Sequence, residues 1–160
     1  MTLVQSWPQG YQTRIDAVIQ GEYNVSSRPE IVLSTVLGSC VSVCLFDRSV
    51  GIGGMNHYLL ADSGTAAGNN LKYGAHAMEL LVNGLLRAGA SRGNLEAKIF
   101  GGSLMSGRFD HIGPRNAEFA IGYLRDENLP VIAEDTGGTT ARRVNFHPVT
   151  GQARVIRTQA

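Results

Sequence analysis

The stretch Glu30–Leu60, EIVLSTVLGSCVSVCLFDRSVGIGGMNHYLL, decides how this chain is read. Glu30 to Leu37 is rich in β-branched and aliphatic residues and reads as a strand. Gly38-Ser39 interrupts it. Cys40 to Phe46 resumes as a second strand, Asp47-Arg48-Ser49 turns, and Val50 to Leu60 returns as a third. In such a hairpin, residues equally far from the turn come to lie opposite one another. Cys40 and His57 stand about eight or nine residues on either side of it, so the pairing brings a thiol and an imidazole to the same end of the hairpin.

Working outward, Gly21 to Val25 reads as a preceding strand. Ala61 to Asn70 (ADSGTAAGNN) is a small, polar loop. Tyr73, Ala77, Leu80, Leu81, Gly84, Leu85 and Ala88 then recur at three- and four-residue steps, an amphipathic helix stopped by Gly89. Leu95 to Phe100 is a strand that leads into Gly101-Gly102 and a long loop. Pro114 suits the first turn of a second helix, with Ala117, Ala120, Ile121 and Leu124 on its inner face. Pro130 to Glu134 is a strand, Thr136 to Thr139 turns, and Ala141–Phe146 pairs with Gln152–Thr158. Strands, helix, strand, helix, strands describe an α/β (α+β) layered sandwich, a mixed sheet carrying two main helices. Residues 1–13 show no period and read as a loosely held arm.

Composition bounds the rest. With 160 residues, 43% hydrophobic and 17% charged, the chain suits one globular domain. A net charge of +1 provides no general attraction for nucleic acid. No apolar run approaches the ~20 residues of a spanning helix, so no membrane insertion is expected. The first ten residues lack the basic-then-apolar pattern of a signal peptide. Two cysteines only, Cys40 and Cys44, point to a reducing, cytoplasmic setting.

A cysteine just after a Gly-Ser turn, at the start of a strand, sits where backbone N–H groups are free to face a ligand. Such donors, at Ser39 and Cys40, would stabilise a tetrahedral oxyanion. A free cysteine is more often a small buried hydrophobe, and His57 is what shifts the balance. An imidazole beside a thiol activates the nucleophile. His76 falls on the exposed side of the helix, His111 in a loop and His147 in the last hairpin, none with Cys40 opposite by so short a path. Cys40, Cys44 and His57 could also be read as zinc ligands. Residues four apart on a strand are separated by ~13 Å, too far to share one tetrahedral ion, so no metal is expected and Cys44 is assigned to the core. Ser39 lacks the Gly-x-Ser-x-Gly elbow of a serine hydrolase. Gly101-Gly102-Ser103 lacks the lysine of a phosphate loop. Arg142, Arg143, Arg154 and Arg157 gather on the last hairpin and read as a solvated face.

These residues resemble a known family. Leu37-Gly38-Ser39-Cys40-Val41 followed by Gly54-x-x-His57, seventeen residues after the cysteine, is similar to the CheD chemoreceptor glutamine deamidases. Gly101-Gly102, Ile112-Gly113-x-Arg115-Asn116 and Ala133-Glu134-Asp135-Thr136-Gly137-Gly138, with Arg142 beyond, follow in the same order. The resemblance covers about Gly21 to Thr158, leaving residues 1–20 as a flexible extension and 21–160 as a single CheD-like domain.

The resemblance implies a three-layer sandwich and hydrolysis of glutamine side chains on the cytoplasmic helices of chemoreceptors, with no cofactor. It makes Cys40 the nucleophile and His57 the base. The family's third residue is a threonine six positions before the cysteine, where this chain has Ser34 with Thr35 beside it. The two point to opposite faces of their strand, so only one can orient His57, and Ser34 is the one expected. Met105 and Phe109, apolar residues in the loop GSLMSGRFDHIG, either anchor that loop or meet a helical partner. In the resembling family this region engages a CheC-type phosphatase. Two alternatives stand beside the deamidase: a non-catalytic adaptor that binds a phosphatase or receptor, and another thiol hydrolase such as a receptor methylesterase.

Overall fold

The structure, a computed structural model, describes residues 3–6, 12–60, 67–105 and 111–157. Its strands are β1 (Leu3–Ser6), β2 (Gln12–Ala17), β3 (Tyr23–Ser26), β4 (Ile31–Leu37), β5 (Val41–Asp47), β6 (Ile52–Asn56), β7 (Glu96–Gly101), β8 (Val131–Thr136), β9 (Arg142–Phe146) and β10 (Ala153–Arg157). The helices are α1 (Ala67–Ala88) and α2 (Ile112–Asp126). One sheet runs β1-β2-β4-β9-β10 and the other β3-β6-β5-β7-β8. Both are mixed: β2 pairs parallel with β4, and β7 with β8, while the remaining pairs are antiparallel.

The period of two along β5 builds the three layers. Val41, Val43 and Leu45 face the helices, where Met78, Leu81 and Leu85 of α1 and Ala117, Ala120 and Leu124 of α2 close one core. Cys44 and Phe46 face the other way and pack with Met55 and Phe100 against Leu33, Leu37, Val144 and Phe146 of the first sheet. The order is therefore sheet, sheet, helices, as the three-layer expectation has it. A strand buried on both faces reads as a continuous apolar run rather than an alternating one, which is why CVSVCLF carries so little polar signal. Cys44 is fully buried, and burial pushes its thiol up to about 12.

Four details depart from the sequence expectation. Residues 12–20, expected to be part of a flexible extension, belong to the domain: β2 lies parallel to β4 from Arg14↔Ile31 to Ala17↔Ser34, and Thr13 is buried. The polarity of QTRIDA hid this strand, because only tertiary pairing satisfies its backbone. The first helix begins at Ala67, inside the stretch read as loop. Tyr73 and Ile121, expected on inner faces, are 40% and 37% exposed, while Met78 and Val82 take the core positions. Arg142, expected on a solvated face, has no exposure at all. Its guanidinium pairs with the Asp135 carboxylate at 2.8 Å, donates to Ser103 Oγ at 2.8 Å and reaches the Gly137 carbonyl, so it organises the turn after β8.

The end of β7 touches the nucleophile candidate. Gly101 has φ +106°, and a Cβ there would overlap the Cys40 carbonyl and meet Leu37. Only glycine tolerates both the conformation and the approach. Gly101→Ala is expected to destabilise the fold by about 2 kcal/mol or more, measured by urea unfolding. A loss within error of zero would show that the β7 terminus yields without cost.

Candidate active site

β4 belongs to one sheet and β5 to the other, so Gly38-Ser39-Cys40 is the passage between layers. Each of its three carbonyls is held: Ser103 N donates to Gly38 O at 2.9 Å, Asn116 Nδ2 to Ser39 O at 2.8 Å, and Gly102 N to Cys40 O at 2.9 Å. The amides of Ser39 and Cys40 donate to none of the described residues. Cys40 is half-buried and its Sγ donates to Gln20 Oε1 at 3.7 Å.

His57 comes from the opposite strand. The β5–β6 register, Cys44↔Met55, continues past the end of β6 to the bridge Val41↔Tyr58. Ser42 is thereby opposite His57, and Cys40, two residues along on the same face, is its diagonal neighbour, a relation that spans about 7–8 Å between Cα atoms. Both side chains look toward the first sheet. The backbone of His57 is held from the β3 side: Gly21 N donates to His57 O at 2.8 Å, and His57 N to Glu22 O at 3.1 Å.

Thr35, not Ser34, stands against the imidazole. Leu33, Thr35 and Leu37 point into the space between the sheets, and Thr35 Oγ1 lies 2.7 Å from His57 Nδ1. Ser34 faces outward on the far side of β4, where its hydroxyl donates to Asn145 Oδ1 of β9 at 2.6 Å. The alternation of a strand allows no compromise between them, and the expectation of Ser34 is corrected on that ground.

Hydrogen-bond accounting then fixes the imidazole's tautomer. The Val18 carbonyl, which only accepts, receives the Thr35 hydroxyl at 2.6 Å and lies 3.1 Å from His57 Nδ1. Thr35 has spent its one proton on Val18, so its oxygen is an acceptor toward Nδ1. Nδ1 therefore carries the proton and Nε2 keeps its lone pair. Burial pushes His57 below its ordinary value, the Val18 carbonyl and Glu22 opposing in part. Burial likewise pushes the Cys40 thiol up. Both shifts favour the uncharged forms, neutral thiol and neutral imidazole, over the ion pair that a thiol–imidazole juxtaposition first suggests.

The other candidates fall elsewhere. His76 is exposed on α1, and His147 is buried, tied to Thr150 Oγ1 and the Pro29 carbonyl at 2.7 Å each. Met105 is 45% exposed and its side chain lies over Gly38, within 3.1 Å of where a Cβ would be. Its side chain thus packs against Gly38 while part of its surface stays accessible. Phe109 lies outside the described residues. Sequence reasoning missed Val18 and Gln20, which fell in the supposed extension, and Asn116, quoted only as part of a motif. A backbone carbonyl such as that of Val18 leaves no trace in a sequence.

A three-layer sandwich with a half-buried thiol and an oriented imidazole at the crossing between its sheets defines a protein built around a Cys–His pair. The family model described as CheD chemotactic sensory transduction matches residues 59–157. Curated relatives match over a longer span. A protein of Ruegeria sp. named "Probable chemoreceptor glutamine deamidase CheD 1" is 53% identical over 137 residues, 86% of this chain and 73% of its own. Proteins named "Probable chemoreceptor glutamine deamidase CheD" from Rhizobium rhizogenes and Caulobacter sp. are each 53% identical, covering 86% of this chain and 76% and 74% of theirs. This chain belongs to the CheD family. Among solved structures, Neisseria meningitidis protein NMB0706 is similar in fold, with TM-score 0.51 and 10% identity over 79% of this chain and 64% of that one.

Two outcomes follow from this geometry. Thr35→Val removes the acceptor at Nδ1 and is expected to cost roughly 10²-fold in turnover, while Ser34→Ala, which strands Asn145, costs stability instead. Equal losses of turnover for the two variants would refute the assignment. The rate of Cys40 alkylation by iodoacetamide is expected to rise with a midpoint above the ordinary thiol value of 9.0, and His57, followed by NMR, to protonate below 6.5. Since protonation removes the base, turnover falls as pH drops through the His57 value. A thiolate–imidazolium resting pair would reverse both signs, with alkylation already at its plateau near neutral pH.

Proposed function

We propose that this protein is a protein-glutamine deamidase that converts specific glutamine side chains of methyl-accepting chemoreceptors to glutamate, with Cys40 as nucleophile and His57 as base. The observation that supports the reading is the hold on His57 Nδ1 by Thr35 and Val18, which leaves Nε2 as the ring nitrogen available to act as base, with Cys40 the diagonal neighbour in the register. The substrate class comes from the relatives, whose names specify chemoreceptor glutamine deamidation.

The chemistry uses the chain's own groups. The substrate carboxamide displaces the Gln20 side chain from the thiol. Sγ attacks the carboxamide carbon as its proton passes to Nε2, and the oxyanion that forms takes the Ser39 and Cys40 amides. The imidazolium returns the proton to the departing nitrogen and ammonia leaves, so a thioester remains. Nε2 then deprotonates water, which attacks the thioester carbon, and the thiolate departs and recovers its proton. One water is consumed and one ammonia released per glutamate made. The change adds a negative charge to the receptor's signalling helices, and adaptation in chemotaxis is the process it serves. The exposed Met105 beside Gly38 is the rim residue that meets a helical partner, the receptor or a CheC-type phosphatase.

The test is mass spectrometry of a purified receptor cytoplasmic fragment after incubation with this protein. A gain of about one mass unit at discrete glutamines, absent with Cys40→Ala, is expected. Binding without any mass gain would replace the enzyme by an adaptor. Release of methanol from methylated receptor with no loss of ammonia from glutamine would make it a methylesterase.

A further inference from the structure

We infer that Asn116 is a positioning residue for the reaction, which turns the Ser39–Cys40 peptide so that its N–H faces the substrate oxyanion. The inference rests on the reading of Cys40 as the acylated nucleophile.

In a trans peptide the carbonyl and the following N–H point in opposite directions. Whatever holds one aims the other. Asn116 Nδ2 holds the Ser39 carbonyl at 2.8 Å, which aims the Cys40 N–H away from α2. Ser103 N holds the Gly38 carbonyl at 2.9 Å, which by the same rule aims the Ser39 N–H away from Ser103. The next peptide shows what happens without a free donor: its carbonyl is held by Gly102, and its N–H, that of Val41, is spent on Tyr58 O at 3.0 Å. Two consecutive amides are thus oriented by clamps and committed to no described residue.

Asn116 is placed for more than this one bond. It has no exposure, its Oδ1 accepts from Leu60 N at 2.8 Å, and its own carbonyl accepts from Tyr58 Oη at 2.8 Å. Tyr58 and Leu60 follow His57 directly in the chain. One side chain therefore ties the loop that carries the nucleophile to the strand that carries the base. The approach is built in: Gly113, at the start of α2, lies so close to Ser103 that any Cβ would overlap the Ser103 carbonyl. An amide is the only uncharged side chain of this length that both donates to one strand and accepts from the other.

The decisive variant is Asn116→Asp. A carboxylate of the same shape still accepts from Leu60 N but cannot donate to Ser39 O. Turnover of the receptor fragment is expected to fall about 10²-fold with KM little changed, as for loss of an oxyanion donor. Alkylation of Cys40 by iodoacetamide is a displacement at saturated carbon and forms no oxyanion, so its rate should stay near that of the wild type. Tyr58→Phe, which frees the Asn116 carbonyl but leaves the clamp, controls for stability and should retain turnover. Parallel losses of turnover and alkylation in Asn116→Asp would overturn the inference in favour of a purely structural role, as would retained turnover. Should the wild type not deamidate at all, the reading above fails, and the clamp is judged on a peptide bearing an aldehyde in place of the glutamine carboxamide. Its hemithioacetal with Cys40 needs the same donors: weaker capture by Asn116→Asp supports the clamp, and equal capture or none by either protein overturns it.

Discussion

The chain leaves one sheet at Leu37 and enters the other at Val41, and everything distinctive about this protein depends on how those three intervening residues are satisfied. A passage between two buried layers exposes its peptide groups to an apolar interior, and each unpaired carbonyl there is costly. The fold answers with three donors, the backbones of Gly102 and Ser103 just past β7 and the side chain of Asn116 on α2. With the carbonyls held in this way, the amides of Ser39 and Cys40 donate to none of the described residues. A requirement of folding thus yields a pair of preorganised donors beside a thiol.

The imidazole is held by the same economy. His57 sits one residue past β6, with its backbone clamped by Gly21 and Glu22 and its ring by Thr35 and the Val18 carbonyl. Three segments that are distant in sequence converge on one ring nitrogen. The strand β2, whose polar sequence looks unstructured, delivers the Val18 carbonyl and with it the tautomer. Burial favours the uncharged form of both the thiol and the imidazole. The neighbouring Cys44, on the same face of β5 but sealed between the sheets, has its thiol pushed up to about 12. Position along one strand separates a half-buried sulfur from a sealed one.

Asn116 links these two halves. It reaches the Gly38–Cys40 passage with its amide nitrogen and the segment after His57 with its amide oxygen, so relative motion of the two would break a buried bond. Behind it, the buried Arg142 holds Ser103 through the side chain while Ser103 holds Gly38 through the backbone. The buried guanidinium is compensated by the Asp135 carboxylate, the carbonyls of Asp135 and Gly137 and the Ser103 hydroxyl.

Sequence by itself determined the layered architecture and the hairpin, because a period of two and a turn at Asp47–Ser49 bring Cys40 and His57 to one end of it; the roles assigned to the two came from the family resemblance. It also marked Ser34 and Thr35 as exclusive alternatives, since adjacent strand residues face opposite ways. Which of them meets His57 was decided only by the tertiary structure: β9 and Asn145 lie on one side of β4's hydroxyls and the second sheet on the other. The same holds for Val18, Asn116 and Ser103, whose contributions are hydrogen bonds across about 39, 77 and 65 residues of chain respectively, to His57, Ser39 and Gly38. Local pattern records which face a residue takes within its own strand. It carries no record of what the fold brings against that face, and the proton on His57 depends on the second of these.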